Sequence, residues 1–482
     1  MKNKKNSYKK KKNRNRTPEI RITSYFFLLL FLSMIVYLCI YVKNNEQILL
    51  NNSYNSRQNM LAQENYRGSI LDKNGDILAQ TVSVSSKSEQ RQYPYDNLFS
   101  HVVGFSTKGK TGIENQANYY LITSDISLSK KVENDVANQK NPGNNVYTTL
   151  NMNLQKIAYD SLGIYKGAVI VSEVKTGKIL AMVSKPDFDP NTIVQDWDKY
   201  VKDKDSSVLL NRTTQGLYPP GSTFKIITAL EYIRENPDTY MNYKYSCNGH
   251  FTMGETKINC YHGTNHGALN FLTSFAKSCN SSFANIGVSL DRDQYGKTLD
   301  ELMFNQKLPL DFNYSTSNLN VDNSLSDADM IQIAIGQGKA QITPIHLNMI
   351  TNAIADDGVV MKPMLLDKVV ANDGTLVKEF KTDTYKTILT QTESDILTNM
   401  MTAVVQEGTA TKLKNDVYQA AGKTGSAEYN GVKEDSHAWF TGFAPVNDPE
   451  VSVTIIIEGI GSGGDYAVPI AKRIFDGYFK YK

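Results

Sequence analysis

The chain has 482 residues, 40% of them hydrophobic and 21% charged, with a formal net charge of +3. That length holds two or three domains at roughly 100–200 residues each. Residues 1–42 carry ten basic groups against one acid, Glu19, and the rest of the chain is net −6, which excludes a nucleic-acid-binding body. The opening "MKNKKNSYKKKKNRNR" holds nine Lys or Arg and no acid. Directly after it, "SYFFLLLFLSMIVYLCIYV" (24–42) is uncharged. As a helix it would reach about 28 Å, close to the ~30 Å hydrocarbon core of a bilayer. A basic flank stays on the cytoplasmic side, so everything after Val42 is expected outside. A cleaved signal peptide would end its shorter apolar region at small residues. Here "KNNEQILLNNSY" follows, and the bulky Leu38 before Cys39 argues against lipoprotein cleavage. The expectation is an uncleaved anchor.

Beyond it, "RGSILDKNGDILAQT" (Arg67–Thr81) predicts a strand, an Asn-Gly turn and a second strand. "NQKNPGNNV" (138–146) has linker composition. Leu154, Ile157, Ala158 and Leu162 then recur at helical spacing, and "GAVIVSEVKTGKILAMVS" predicts a hairpin around Thr176-Gly177. In "LYPPGSTFKIITALEY" (Leu217–Tyr232) two prolines and a glycine stop the chain, and Ser222 opens a helix apolar on nearly every side. A mostly helical stretch follows. "QAAGKTGSAEY", "HAWFTGFAPV" and "EVSVTIIIEGI" predict three consecutive strands. Two strands early and three late, with helices between, imply one antiparallel sheet packed with helices, an α+β or α/β sandwich.

Ser222 and Lys225, at i and i+3, share one face of a buried helix. Burial lowers a lysine's pKa toward neutrality, and a hydroxyl beside such a lysine is an activated nucleophile. Alone, the pair reads more readily as a helix cap with a snorkelling lysine. Two later segments change that: Ser278-Cys279-Asn280 in "SFAKSCNSSFANIG", and Lys423-Thr424-Gly425, followed by Ser426, in "AGKTGSAE". S-x-x-K, S-x-N and K-T-G in that order are the motif set of penicillin-binding proteins and class A β-lactamases.

On these residues the chain resembles the class B penicillin-binding proteins, monofunctional transpeptidases that cross-link peptidoglycan. "RGSILDKNGDILA" is similar to the family's pedestal motif and "YPPGSTFK" to its nucleophile segment. "IGQGKAQITPIHL", "VVQEGTATKL" and "HAWFTGFAP" also match. The short pedestal, with no module expected after Lys482 and no room for a glycosyltransferase domain before Ser222, resembles the compact penicillin-binding protein A type. The resemblance implies a basic tail (1–23), an anchor (24–42), a non-catalytic, dimerisation-like pedestal (43–147) and a transpeptidase domain (148–482). The last would be a five-stranded antiparallel sheet packed with helices. It also implies roles. Ser222 would be acylated by D-Ala-D-Ala stem peptides or β-lactams, with Lys225 as base. Ser278 would relay a proton to the departing D-alanine, Lys423 would polarise it, and Asn280 would bond the substrate amide. Thr424 and Ser426 would hold the substrate carboxylate, Gly425 would keep the strand edge open, and the N–H groups of Ser222 and Ser426 would form the oxyanion hole. No cofactor is implied for catalysis. The expected partners are the membrane and a polytopic peptidoglycan glycosyltransferase. His437, in "EDSHAWF", is expected in a solvated loop or the core, because Ser/Lys chemistry needs no imidazole.

The cysteines are read two ways. Cys247, Cys260 and Cys279 all fall outside the membrane, where disulfides are expected, and a Cys247–Cys260 bridge would close a small loop. That bridge strands Cys279 beside Ser278. Alternatively, Cys247, Cys260, His266 and Cys279 form a Cys₃His set suited to structural zinc, with His262 able to replace His266. Zinc would pin the Ser278–Asn280 segment; free packed thiols are the third reading. The rival functions are a D,D-carboxypeptidase or β-lactamase on the same fold, and an inactive β-lactam sensor or scaffold.

Overall fold

The computed structural model describes residues 17–45, 49, 56–85, 88–203, 205–428 and 435–481. The basic run over residues 1–16 lies outside them. The apolar segment forms one helix, Thr17–Asn44, whose Pro18–Lys43 stretch is long and apolar enough to cross a membrane. Its ends run past the uncharged 24–42 window because the flanking Thr, Pro, Glu and Lys residues continue the same helix. Residues 57–482 form a second compact unit.

This body is organised on two sheets. The first has six strands in the order Leu376–Glu379, Leu366–Val370, Asn145–Thr148, Ile70–Leu71, Ile77–Ser85 and Ser88–Gln92. Asn145–Thr148 pairs parallel to Ile70–Leu71 and antiparallel to Leu366–Val370. The segment with linker composition therefore enters a sheet, and strands from both sides of position 147 meet in it. Asp72 ties the first hairpin to the catalytic part: Oδ1 accepts from Asn74 N (2.7 Å) and Asp76 N (3.0 Å) across the turn, and Oδ2 accepts from Met152 N (3.2 Å).

Beneath the same sheet Glu114 is fully buried between two guanidiniums. It accepts from Arg67 Nε, from Arg91 Nε at 2.7 Å and from Tyr93 Oη at 3.2 Å. Burial alone would raise its pKa, but the two arginines outweigh burial and hold it below the usual carboxylate range. Removing one partner of a buried ion network strands the others. Glu114→Gln is therefore expected to cost about 3–5 kcal/mol of stability, read as a lower urea midpoint at neutral pH.

The second sheet has five antiparallel strands in the order Ala421–Ala427, His437–Ala444, Val451–Ile457, Gly167–Glu173 and Ile179–Lys185. Every residue of the second and third strands is buried, so helices cover both faces. Helices Met152–Leu162 and Ala467–Tyr481 pack together on one face. Helix Pro344–Ala355, buried throughout, takes the other. Its Asn348 and Thr351 bond Ser172, Ser452 and Thr441, which satisfies the polar side chains of that face. Strand Ala421–Ala427 is the sheet's edge, and the candidate site lies along it.

Candidate active site

Ser222 does not sit within an α-helix. Residues Gly221–Phe224 form a 3-10 turn that runs directly into helix Lys225–Glu235, every residue of which from Lys225 to Glu231 is buried. Gly221 has φ +53, and a Cβ there would stand 2.7 Å from the Ser426 carbonyl, so glycine lets the turn lie against the K-T-G strand. The turn is fastened on three sides. Gly221 N donates to Gly336 O (2.9 Å), Trp439 Nε1 donates to Pro219 O (3.0 Å), and Tyr218 pairs with Ile342 through two backbone bonds. Ser222 itself is half-buried, and among the described residues its hydroxyl has no hydrogen-bond partner.

Two lysines converge on one serine. Lys225 Nζ lies 2.8 Å from Ser278 O, 2.7 Å from Asn280 Oδ1 and 3.3 Å from Ser278 Oγ. Lys423 Nζ lies 2.9 Å from the same Ser278 Oγ and 3.1 Å from Thr424 O. Both lysines are fully buried. Burial lowers Lys225 to about 7, against the partial opposition of the Cys279 and Cys260 sulfurs. Lys423 is pushed well below its ordinary value, first by burial and then by the charge of Lys225. Two ammonium groups bridged by one hydroxyl, without a carboxylate between them, cannot both stay charged at neutral pH. As a neutral amine Lys225 donates its two protons to the nearest oxygens and keeps a lone pair free. Ser278 adopts φ +55, a left-handed conformation that is strained for a residue with a Cβ.

The third motif behaves as its period-2 alternation requires. Lys423 and Gly425 share one face of the edge strand, and Thr424 and Ser426 share the other. Thr424 Oγ1 lies 2.5 Å from Thr409 Oγ1, and Ser426 Oγ accepts from Gly463 N at 3.3 Å. Two expectations need adjustment. The space at Gly425 is used from behind: a Cβ there would meet Pro220 O and the Trp439 side chain at 3.0 Å each, so it seats the Ser222 turn. Asn280 Nδ2 donates to Asn259 O (3.0 Å), so one of its two amide protons is already engaged by a neighbouring hairpin. His437 is buried on its strand, and its Nδ1 accepts from Gly459 N at 3.2 Å.

The cysteine set is also assembled. The ligand atoms of Cys247, Cys260, His266 and Cys279 all lie within 4.8 Å of one another, and His262 is not among them. Strand pair Lys244–Cys247 with Gly267–Asn270 and hairpin His250–Asn259 bring three of them together, and Cys279 joins as the cap of helix Asn280–Ser289. None is in a disulfide: Cys247 and Cys260 sulfurs stand 3.7 Å apart, as do those of Cys260 and Cys279. Cys247 Sγ is 3.4 Å from His266 Nδ1. With metal–sulfur bonds of about 2.3 Å, a tetrahedral zinc site has sulfur–sulfur edges of about 3.8 Å and sulfur–nitrogen edges of about 3.5 Å. The spacing fits zinc and is far too long for a bond between sulfurs. Gly249 N and Ser282 N donate to Cys247 Sγ (3.3 Å) and Cys279 Sγ (3.4 Å).

Comparison with known proteins agrees with this geometry. Residues 167–476 match the penicillin binding protein transpeptidase domain, and residues 67–146 the penicillin binding protein A dimerisation domain. The chain is 30% identical over 438 residues to the peptidoglycan D,D-transpeptidase PbpA of Mycolicibacterium smegmatis, covering 84% of this chain and 87% of that one. The D,D-transpeptidase domain of a peptidoglycan glycosyltransferase from Eggerthella lenta superimposes with a TM-score of 0.78 at 28% identity, over 86% of this chain and 99% of that one. Penicillin-binding protein A from M. tuberculosis, as a ceftriaxone acyl-enzyme complex, does so with a TM-score of 0.78 at 26% identity and the same coverage. The chain belongs to the penicillin-binding protein transpeptidase family, serine-type acyl-transfer enzymes. Within it, the two domain matches and the likeness to PbpA make it a class B D,D-transpeptidase of the penicillin-binding protein A type.

The sequence carries no chemical signal for Trp439, Gly336 or Thr409, although all three stand in segments that carry the resemblance. None is ionisable, and each acts only through a contact made by the fold.

Proposed function

We propose that Ser222, Lys225, Ser278 and Lys423 cross-link peptidoglycan stem peptides through a serine acyl-enzyme. The observation that carries this reading is the Ser278 hydroxyl within reach of two buried lysines, one of them Lys225, a single turn after the unbonded Ser222. Ser222 Oγ attacks the penultimate D-alanine carbonyl as its proton passes to neutral Lys225. The Ser222 and Ser426 N–H groups take the developing oxyanion. Ser278, polarised by Lys423, relays a proton to the departing D-alanine. Thr424 and Ser426 hold the terminal carboxylate, while Asn280 keeps one proton for the donor peptide. The amine of a neighbouring stem peptide then attacks the ester and restores Ser222. β-Lactams enter as mimics of the donor and stay on the serine.

Two results test this. Intact mass of the protein mixed with penicillin should show one lasting adduct on the Ser222 peptide, and rapid drug turnover would instead mean a hydrolase. The acylation rate should also rise with pH through about 7, since only neutral Lys225 accepts the proton. A flat profile between pH 6 and 8 would remove Lys225 as the base.

The Cys₃His set fits structural zinc held by Cys247, Cys260, His266 and Cys279. Zinc would supply no chemistry to the acyl transfer; it would fix Cys279, and with it the residues on either side, Ser278 and Asn280. Helix Thr17–Asn44 fits a single-pass anchor, and the basic run before it favours a cytoplasmic N-terminus with the body outside. A transpeptidase of this kind needs glycan strands from elsewhere, which favours a polytopic glycosyltransferase as partner.

A further inference from the structure

The approach to the nucleophile turn is held by one carboxylate, Glu458, that the acyl transfer itself does not use. Glu458 follows strand Val451–Ile457, and its backbone N donates to Lys166 O (2.8 Å). Its Oε1 accepts two bonds, from Arg212 Nε at 2.7 Å and from Tyr218 Oη at 2.8 Å. Arg212 and Tyr218 are both buried. The other Arg212 nitrogens are engaged by Ser206 O (2.8 Å) and Ser207 O (3.2 Å). Burial, and then the Glu458 carboxylate, keep the Tyr218 phenol protonated, so it stays a donor. A charged donor and a neutral one thus converge on a single oxygen, which fixes both in direction.

This clasp closes the segment that delivers the nucleophile. Arg212 and Tyr218 stand six residues apart, and Ser222 follows four residues after Tyr218. The Tyr218 ring stands edge-on to His437 (5.6 Å between centroids) and to Trp439 (6.1 Å), whose indole holds Pro219 O. Glu458 also begins the chain's path to the opposite wall of the site. Five residues on, Gly463 N donates to Ser426 Oγ (3.3 Å). A Cβ on Gly463 would stand 2.4 Å from Gly425 O, so this loop lies against the K-T-G strand. One residue therefore ties the approach to Ser222 through its side chain and the support of Ser426 through its backbone. Two donors that serve one oxyanion must point at the same place.

We propose that Glu458 is a positioning residue for the acyl transfer, setting the Ser222 and Ser426 N–H groups relative to one another through Arg212 and Tyr218. This rests on the transpeptidase reading above. Its effect falls on the acylation step rather than on binding, because the oxyanion forms only there.

The test separates binding from bond formation. Acylation of the full-length protein in detergent is followed by quenched-flow intact mass over a range of penicillin concentration. That yields the binding constant and the first-order acylation rate separately. Tyr218→Phe keeps the ring and removes only its hold on Glu458; Glu458→Gln keeps the shape and removes the charge. Each should lower the acylation rate by about 10–100-fold, leave the binding constant within about threefold and still reach one adduct per chain. The double variant should be little slower than the slower single one, since both break the same clasp. Should Glu458→Gln not fold, Tyr218→Phe decides alone, because it leaves the Arg212–Glu458 pair intact. An adduct that stops well short of one per chain, at an unchanged rate, would mean that the clasp only keeps the protein folded. Weaker binding at an unchanged rate would mean that it shapes the drug's pocket, and no change in either would mean that it is idle; each overturns the assignment alone. Failure of the unmodified protein to acylate on Ser222 would overturn the transpeptidase reading and this assignment with it.

Discussion

Ser222→Ala is expected to abolish the penicillin adduct while leaving the protein folded. The loss should be on the order of 10⁶ in acyl-transfer rate, the scale seen when other serine acyl-transfer enzymes lose their nucleophile. Stability should hardly change, because the hydroxyl is half-buried and makes no hydrogen bond among the described residues. Its removal strands no partner and opens no cavity. The turn is kept by Gly221 N on Gly336 O and by Trp439 on Pro219 O, neither of which involves the serine side chain. The decisive pair of measurements is the adduct by mass and the thermal midpoint by circular dichroism. A lasting adduct on the Ser222→Ala variant would place the nucleophile elsewhere. A folded variant without adduct would fix both the chemistry and the independence of the scaffold from it.

The second large effect is expected at the cysteines. The purified protein should carry about one zinc per chain, and Cys260→Ser should lose it. Cys260 is the hub of the set, within 3.7 Å of two other sulfurs, so its loss leaves the two remaining thiolates and His266 without a tetrahedron. Hairpin His250–Asn259 should then loosen, and Asn259 should release the Asn280 amide it now holds at 3.0 Å. Acylation should fall by up to about 10²-fold, because the segment that carries Ser278 and Asn280 is then no longer held in position. Hydrogen exchange should rise over 244–270 before it rises in the five-stranded sheet. Metal analysis without zinc, together with a mass two hydrogens lighter, would instead establish a disulfide.

The three motifs were legible because each packs its chemistry into three or four adjacent residues, and their order along the chain restricts the family sharply. Hairpin Gly167–Lys185 and the three last strands were legible from local β-rich runs between turn residues. Long-range pairing was not. Leu366–Val370 joins Asn145–Thr148 more than two hundred residues away, and no periodicity in either stretch names its partner. The linker composition of 138–146 was misleading for the same reason: Asn, Pro and Gly mark turns, but Asn141–Pro142 and Asn145–Thr148 are strands, and Val146 at the end of the stretch is fully buried. The glycine of K-T-G was legible as a position needing space, not as one whose space is filled from behind by Pro220 and Trp439. The cysteines showed which atoms were present. Whether two of them were bonded or all stood apart, with sulfurs 3.7 Å from one another, depended on a placement that only the fold supplies.

The order of the five-stranded sheet sets a timetable for synthesis. Its third and fourth strands pair Thr454 with Ile170, so the early hairpin is made almost three hundred residues before the strand that must lie beside it. At ribosomal speeds of about 5–20 residues per second, the gap lasts roughly 15–60 s. Throughout it, Gly167–Glu173 offers an unpaired edge of Ala, Val and Ile, the kind of edge to which another nascent chain can add. The enzyme's vulnerable moment therefore comes during its manufacture. Cells that make it must shelter that one strand until its late partner arrives, and slow codons between the two would lower yield without changing a single amino acid.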